Sequence, residues 1–210
     1  MFIHILKIII VFIVVLFLSS IISIPFMKNK ILGGVITQIG IIVISLALGL
    51  FVLNLDYSNI GIKACSIPIA MIAFILSILI ALPLAYLSII YGKDFEHPLE
   101  IKSFPVYVLV GLILSPIAEE IMFRGVLEGY LLATTTPGIA IILPSILFSI
   151  IHIAPFSRAP RKLLLIVLTS AFILGTIAGT FRYLADSIIP AIISHQCFNL
   201  VGKAIEHTTK

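Results

Sequence analysis

From Ile8 to Met27, from Ile31 to Leu55 and again from Ile67 to Tyr91, the chain carries no charged residue. A helix needs about 20 apolar residues to cross the hydrocarbon of a bilayer. Within lipid, every backbone N–H and C=O must be satisfied by the structure itself, so only helices and closed barrels span. A barrel would show alternating segments of about 10 residues, and these runs do not alternate. They predict an all-α fold, a polytopic transmembrane helical bundle.

Composition points the same way. Of 210 residues, 61% are hydrophobic and 10% charged, against roughly 25% charge in soluble domains. An ordinary soluble domain is excluded, and the length suits one bundle better than two domains. The net charge of +4 is not gathered into a basic run with interleaved aromatics. No nucleic-acid partner is expected; the lipid bilayer is. Cys65 and Cys197 lie far apart without CxxC spacing and read as small apolar residues. Met1–Phe26 has one early lysine, a long apolar run and no small-residue cleavage site, so an uncleaved first span is expected.

Seven segments are long enough to count: Ile5–Met27, Ile31–Leu55, Ile67–Tyr91, Pro105–Leu132, Gly138–Ile153, Leu163–Leu184 and Ser187–Ala204. Ser115-Pro116 could cap a new helix inside the fourth, which sets the expectation at seven to eight spans. Residues 1–104 supply the N-terminal spans, and residues 105–210 form the core that carries the polar motifs, in one membrane domain. With seven spans, Lys28, Lys30, Lys93, Lys102, Arg158, Arg161, Lys162, Lys203 and Lys210 fall on one side. Lys7, Lys63 and Arg182 fall on the other. The positive-inside bias then puts the C-terminus in the cytoplasm.

Glu119, Glu120 and Arg124 interrupt the fourth segment, and each costs about 2.5–3.5 kcal/mol at a bilayer centre. Residues four apart share a helix face, so Glu120 pairs with Arg124, while Glu119 is left without a local partner. An acid freed in this way is a candidate proton-transfer group. His152 follows Phe148 by one turn near the end of the fifth segment. His195 and Asn199 share a face of the last. Glu119 with an imidazole could hold and deprotonate a water, while a second imidazole and an amide could donate to an oxyanion. Neither Ser149 nor Cys197 is set beside a base, and HExxH is absent. The short fifth segment leaves His152 near one membrane face. Convergence with Glu119 therefore calls for a deep-lying helix or one that extends past Ala154.

EExxxR (Glu119, Glu120, Arg124), FxxxH (Phe148, His152) and HxxxN (His195, Asn199), in that order, resemble the three motifs of the CAAX prenyl protease and bacteriocin-processing family, also called the Abi family. The stretch Gly175 to His195 resembles the approach to its last motif. The likeness covers roughly Leu114–Gly202. It implies an intramembrane glutamate endopeptidase similar to the type II CAAX prenyl endopeptidases, with about eight helices. Glu119 and His152 would activate water, and His195 and Asn199 would form the oxyanion site. Glu120 and Arg124 would brace the first motif, with Phe148 in support. Eukaryotic relatives remove the last three residues of prenylated CAAX proteins; prokaryotic relatives are associated with peptide maturation and bacteriocin immunity. The expected substrate is a membrane-associated peptide or lipidated protein, cut without a cofactor in a prokaryotic cell membrane. Two alternatives stand beside this reading. One is a zinc enzyme using Glu119, His152 and His195 as ligands. The other is a non-catalytic peptide-binding immunity or scaffold protein.

Overall fold

The computed structural model describes residues 1–93, 95 and 103–208. Most of the stretch 92–104, which separates the third and fourth segments, together with Lys102 and Lys210 of the charge bias, lies outside the described residues. Among the described residues there are eight helices and no strand. They are α1 (Phe2–Ser23), α2 (Lys30–Phe51), the single turn α3 (Tyr57–Ile60) and α4 (Ile67–Gly92). After them come α5 (Phe104–Thr134), α6 (Pro137–Ile151), α7 (Arg161–Ala185) and α8 (Ile189–Thr208). The seven expected segments all appear as helices. Five helices (α1, α2, α4, α5 and α7) are long and apolar enough to cross a membrane, and α6 is a shorter apolar helix.

Local chemistry sets the ends. The Asn29 side chain accepts from the backbone N–H groups of Ile31 and Leu32 and starts α2. Pro137 opens α6, where a missing N–H costs nothing. Asp56 and Asn59 form a reciprocal capping box on α3, and Gly61, at φ +80°, closes that turn.

Pro116 does not begin a new helix. Leu114 and Ser115 keep helical angles, and α5 runs through. The disturbance appears instead as widened π turns on either side, Val108–Leu114 and Ile121–Glu128. Such turns release backbone groups and often accompany functional sites.

α5 is the axis of the bundle. It touches α1, α2, α3, α6, α7 and α8, while α4 packs on α7 and α8. Every residue from Glu120 to Leu131 is buried. The core joins Phe12 and Val15 of α1, Ile41 of α2, Met122, Phe123 and Val126 of α5, Phe148 of α6 and Leu174 of α7. A 2.8 Å hydrogen bond between His4 Nδ1 and the Tyr130 hydroxyl ties α1 to α5.

Candidate active site

Glu119 and Glu120 sit in α5 between its two wide turns, so helical geometry sends the adjacent carboxylates to different neighbours. Glu120 is fully buried. Its Oε2 lies 3.2 Å from Arg124 Nε, which is the pair read from the four-residue spacing. Its Oε1 lies 2.8 Å from His195 Nδ1, a contact bridging 75 residues of chain. Because a carboxylate only accepts, Nδ1 of His195 carries the proton.

Glu119 is not without a partner. Ser115 Oγ, one turn earlier, donates to its Oε1 at 2.7 Å. Its Oε2 faces His195 Nε2 across 3.9 Å. The expectation of a lone acid overlooked a hydroxyl at the same four-residue spacing that was applied to Glu120 and Arg124. His195 thus lies between both acids, bonded to one and facing the other.

α6 ends at Ile151, so no extension past Ala154 brings His152 in. His152 is the C-cap residue, and its Nδ1 donates to the Phe148 carbonyl at 2.8 Å. A carbonyl accepts only, so in the neutral ring Nε2 is the nitrogen with the lone pair. Phe148 seats both imidazoles: ring centroids stand 5.0 Å from His152 and 5.5 Å from His195. The same ring carries the Arg124 guanidinium at 4.8 Å and meets Phe123 edge-on at 5.1 Å. His152 lies within electrostatic reach of both Glu119 and His195.

Asn199 projects from α8 toward the first wide turn of α5, and its Nδ2 donates to the Gly111 carbonyl at 2.9 Å. The Tyr107 hydroxyl holds the Asn199 backbone carbonyl at 2.8 Å. One Nδ2 proton is therefore engaged, and an amide has two. Beside this face of α8 runs an apolar groove of about 690 Å³ between α4, α5 and α8, lined by Met71, Phe74, Leu112, Ile193 and Cys197 among others. Cys65 also lines it, and both cysteines are free thiols.

Two buried charges were not anticipated. Glu128, fully buried, lies four residues past Arg124, and neither of its oxygens accepts a hydrogen bond from a protein group. Arg182, counted above among the charges of one membrane face, is 2% exposed; it donates to the Asn59 carbonyl at 2.7 Å and pairs with Asp186 at 3.3 Å. The signal for Glu128 was the i, i+4 spacing from Arg124. For Arg182 there was none, because its shelter comes from the distant turn at Gly61.

As for zinc, Glu119, His152 and His195 are not grouped as ligands of one ion; among the described residues no three His, Cys, Asp or Glu side chains are. In comparisons with known proteins, residues 101–201 match the family model described as type II CAAX prenyl endopeptidase Rce1-like. No curated protein and no solved structure matches the chain.

Proposed function

From the match of residues 101–201 to the Rce1-like type II CAAX prenyl endopeptidase model we propose that the chain hydrolyses a peptide bond of a membrane-associated substrate. The observation that carries this reading is that His152 and His195, from two helices, both pack on the Phe148 ring, while Glu119 of the central helix faces His195 Nε2 across 3.9 Å. Five long apolar helices fit a multi-pass membrane protein, and the match over residues 101–201 fits a CAAX-type protease domain. Its mechanism and substrate are inferred below.

Glu119 acts as the general base, with one oxygen held by Ser115 and the other directed at water. His152 Nε2 accepts a hydrogen bond from the same water and fixes its orientation. The water oxygen attacks the carbonyl carbon while its proton passes to Glu119. The oxyanion that forms takes hydrogen bonds from the free Nδ2 proton of Asn199 and from His195 Nε2. With Nδ1 bonded to the Glu120 carboxylate, Nε2 donates when the ring is an imidazolium. Glu120 balances that charge and Arg124 holds Glu120. Collapse of the intermediate breaks the C–N bond, and Glu119 returns the proton to the leaving amine. Donors arranged in advance around developing charge in a site of low dielectric give the largest catalytic effect of this kind.

The scheme uses no metal, and the substrate class is a peptide anchored in the bilayer by a lipid or an apolar segment. The groove beside α8 supports an apolar anchor of this sort. The test is hydrolysis, in lipid nanodiscs, of a farnesylated CAAX peptide and of a panel of apolar transmembrane peptides. The expected result is cleavage of at least one substrate at a rate unchanged by chelator. Binding of peptide without any cleavage would replace this reading with a non-catalytic peptide-binding role. Loss of cleavage with chelator, restored by zinc, would replace the metal-free scheme.

A further inference from the structure

Gln38 belongs to α2, outside the family match at 101–201. Its side-chain Nε2 donates to Ser115 Oγ at 3.0 Å, and Ser115 Oγ donates to Glu119 Oε1 at 2.7 Å. The direction of this chain is fixed by valence. A hydroxyl has one proton, and a carboxylate without a proton can only accept, so Ser115 spends its proton on Glu119. Ser115 must then be an acceptor toward Gln38, which sets the amide with its nitrogen facing inward.

Other hydroxyls in these helices do something different. Ser19, Ser88, Ser145 and Thr176 all bond back to the carbonyl four residues earlier, the usual retreat of a hydroxyl in an apolar helix. Ser115 instead turns forward to a carboxylate, at the junction between the first wide turn of α5 and the regular turn that follows. Gln38 keeps a cost of its own, since its buried Oε1 has no hydrogen-bond partner. A leucine or methionine would fill that space without the orphaned oxygen. α2 is also locked in place: a Cβ at Gly49 would stand 3.1 Å from Val126 Cγ2 of α5, and one at Gly40 would stand 3.1 Å from Ser19 Cβ of α1.

We propose that Gln38 and Ser115 are positioning residues for Glu119, a two-step relay through which an N-terminal span orients the base. The proposal rests on the reading of Glu119 as base. Ser115 pins Oε1 in one rotamer so that Oε2 alone faces His195 and the water. Gln38 acts only through Ser115, by fixing the direction in which its hydroxyl points.

The test pairs infrared spectroscopy with kinetics on the full chain in nanodiscs. The Glu119 carboxylate band is assigned by its loss in Glu119→Gln. It should shift in Ser115→Ala, return in Ser115→Thr and shift part-way in Gln38→Leu. With the farnesylated CAAX peptide, Ser115→Ala should lower kcat at least 10-fold with KM within 2-fold. Gln38→Leu should lower kcat less, and the double variant should match Ser115→Ala alone, because a relay is not additive. An unmoved band in both single variants, or losses that add in the double variant, would overturn the relay. Full activity in Glu119→Gln would instead overturn the base assignment while leaving the band shifts standing.

Discussion

His195 Nδ1 and Glu120 Oε1 stand 2.8 Å apart, joining the last helix to the central one inside the bundle. The acid that the four-residue spacing assigns to Arg124 therefore also sets the tautomer of an imidazole. Glu120 is the hinge of the site: Arg124 grips one oxygen and His195 the other.

Substitution at Glu120 should affect both duties. Glu120→Gln keeps an oxygen for the Nδ1 proton but removes the charge that supports the imidazolium, so kcat should fall at least 10-fold in a folded protein. Glu120→Gln and Glu120→Ala both leave Arg124 buried without that countercharge, and breaking a buried pair costs about 3–5 kcal/mol. Thermal unfolding in detergent should show a lowered midpoint for both variants. Wild-type midpoints in both would remove Arg124 from the account.

Phe148 should matter as a seat for two histidines as well as for packing. Phe148→Ala should destabilise by about 3–5 kcal/mol, the range for a large core aromatic. Phe148→Leu restores much of the volume but no ring for the imidazoles or for Arg124. Its unfolding midpoint should lie nearer wild type while its activity stays low. Wild-type turnover in Phe148→Leu would make the ring a packing element only.

Close helix approach gives a stability contrast. A Cβ at Gly175 would stand 3.0 Å from Arg124 Nη2 and from Ser145 Cα, a backbone atom that cannot swing aside. Gly175→Ala should cost about 1–3 kcal/mol by overpacking. At Gly138 nothing lies within 4 Å, and Gly138→Ala should be neutral or stabilise α6 by up to about 1 kcal/mol. Unfolding of both variants under one set of conditions checks the order.

The helices were legible because apolar runs of that length in lipid admit few solutions. The Glu120–Arg124 pair was legible because four residues along one helix is a local relationship. The same rule, applied to polar neighbours of every charge, would have found Ser115 for Glu119 and Glu128 beside Arg124. Contacts between helices were not legible: Gln38 reaches Ser115 across 77 residues and His195 reaches Glu120 across 75. Nothing in the spacing sets which faces meet. Nor was the burial of Arg182, which depends on the Gly61 turn folding over it; a Cβ there would stand 2.6 Å from Arg182 Nε. Of the two readings of Ser115-Pro116, a restart and a single continuous segment, the continuous one holds, with wide turns on either side of the proline.

At the end of α7, the exposed Asp186 carboxyl is held below its usual range, first by its hydrogen bond from Lys63 and also by Arg182. A depressed native pKa contributes stability above the unfolded value, near pH 3.9, and loses it as pH falls through the native value. Asp186→Asn should therefore be less stable than wild type at pH 7, and the gap should close on acidification below about pH 4. A gap independent of pH would mean that the charge of the aspartate is not what stabilises the end of α7.

The most direct test of the central claim is the single-turnover rate of peptide-bond hydrolysis by Glu119→Gln, compared with wild type on the same membrane-anchored peptide. Glutamine preserves shape and can still meet the Ser115 hydroxyl, but it cannot take a proton from water. Removal of a general base costs about 10²–10⁴-fold, and a loss of that size with an unchanged unfolding midpoint is the predicted result. Hydrolysis at the wild-type rate would contradict the assignment of Glu119 as the base.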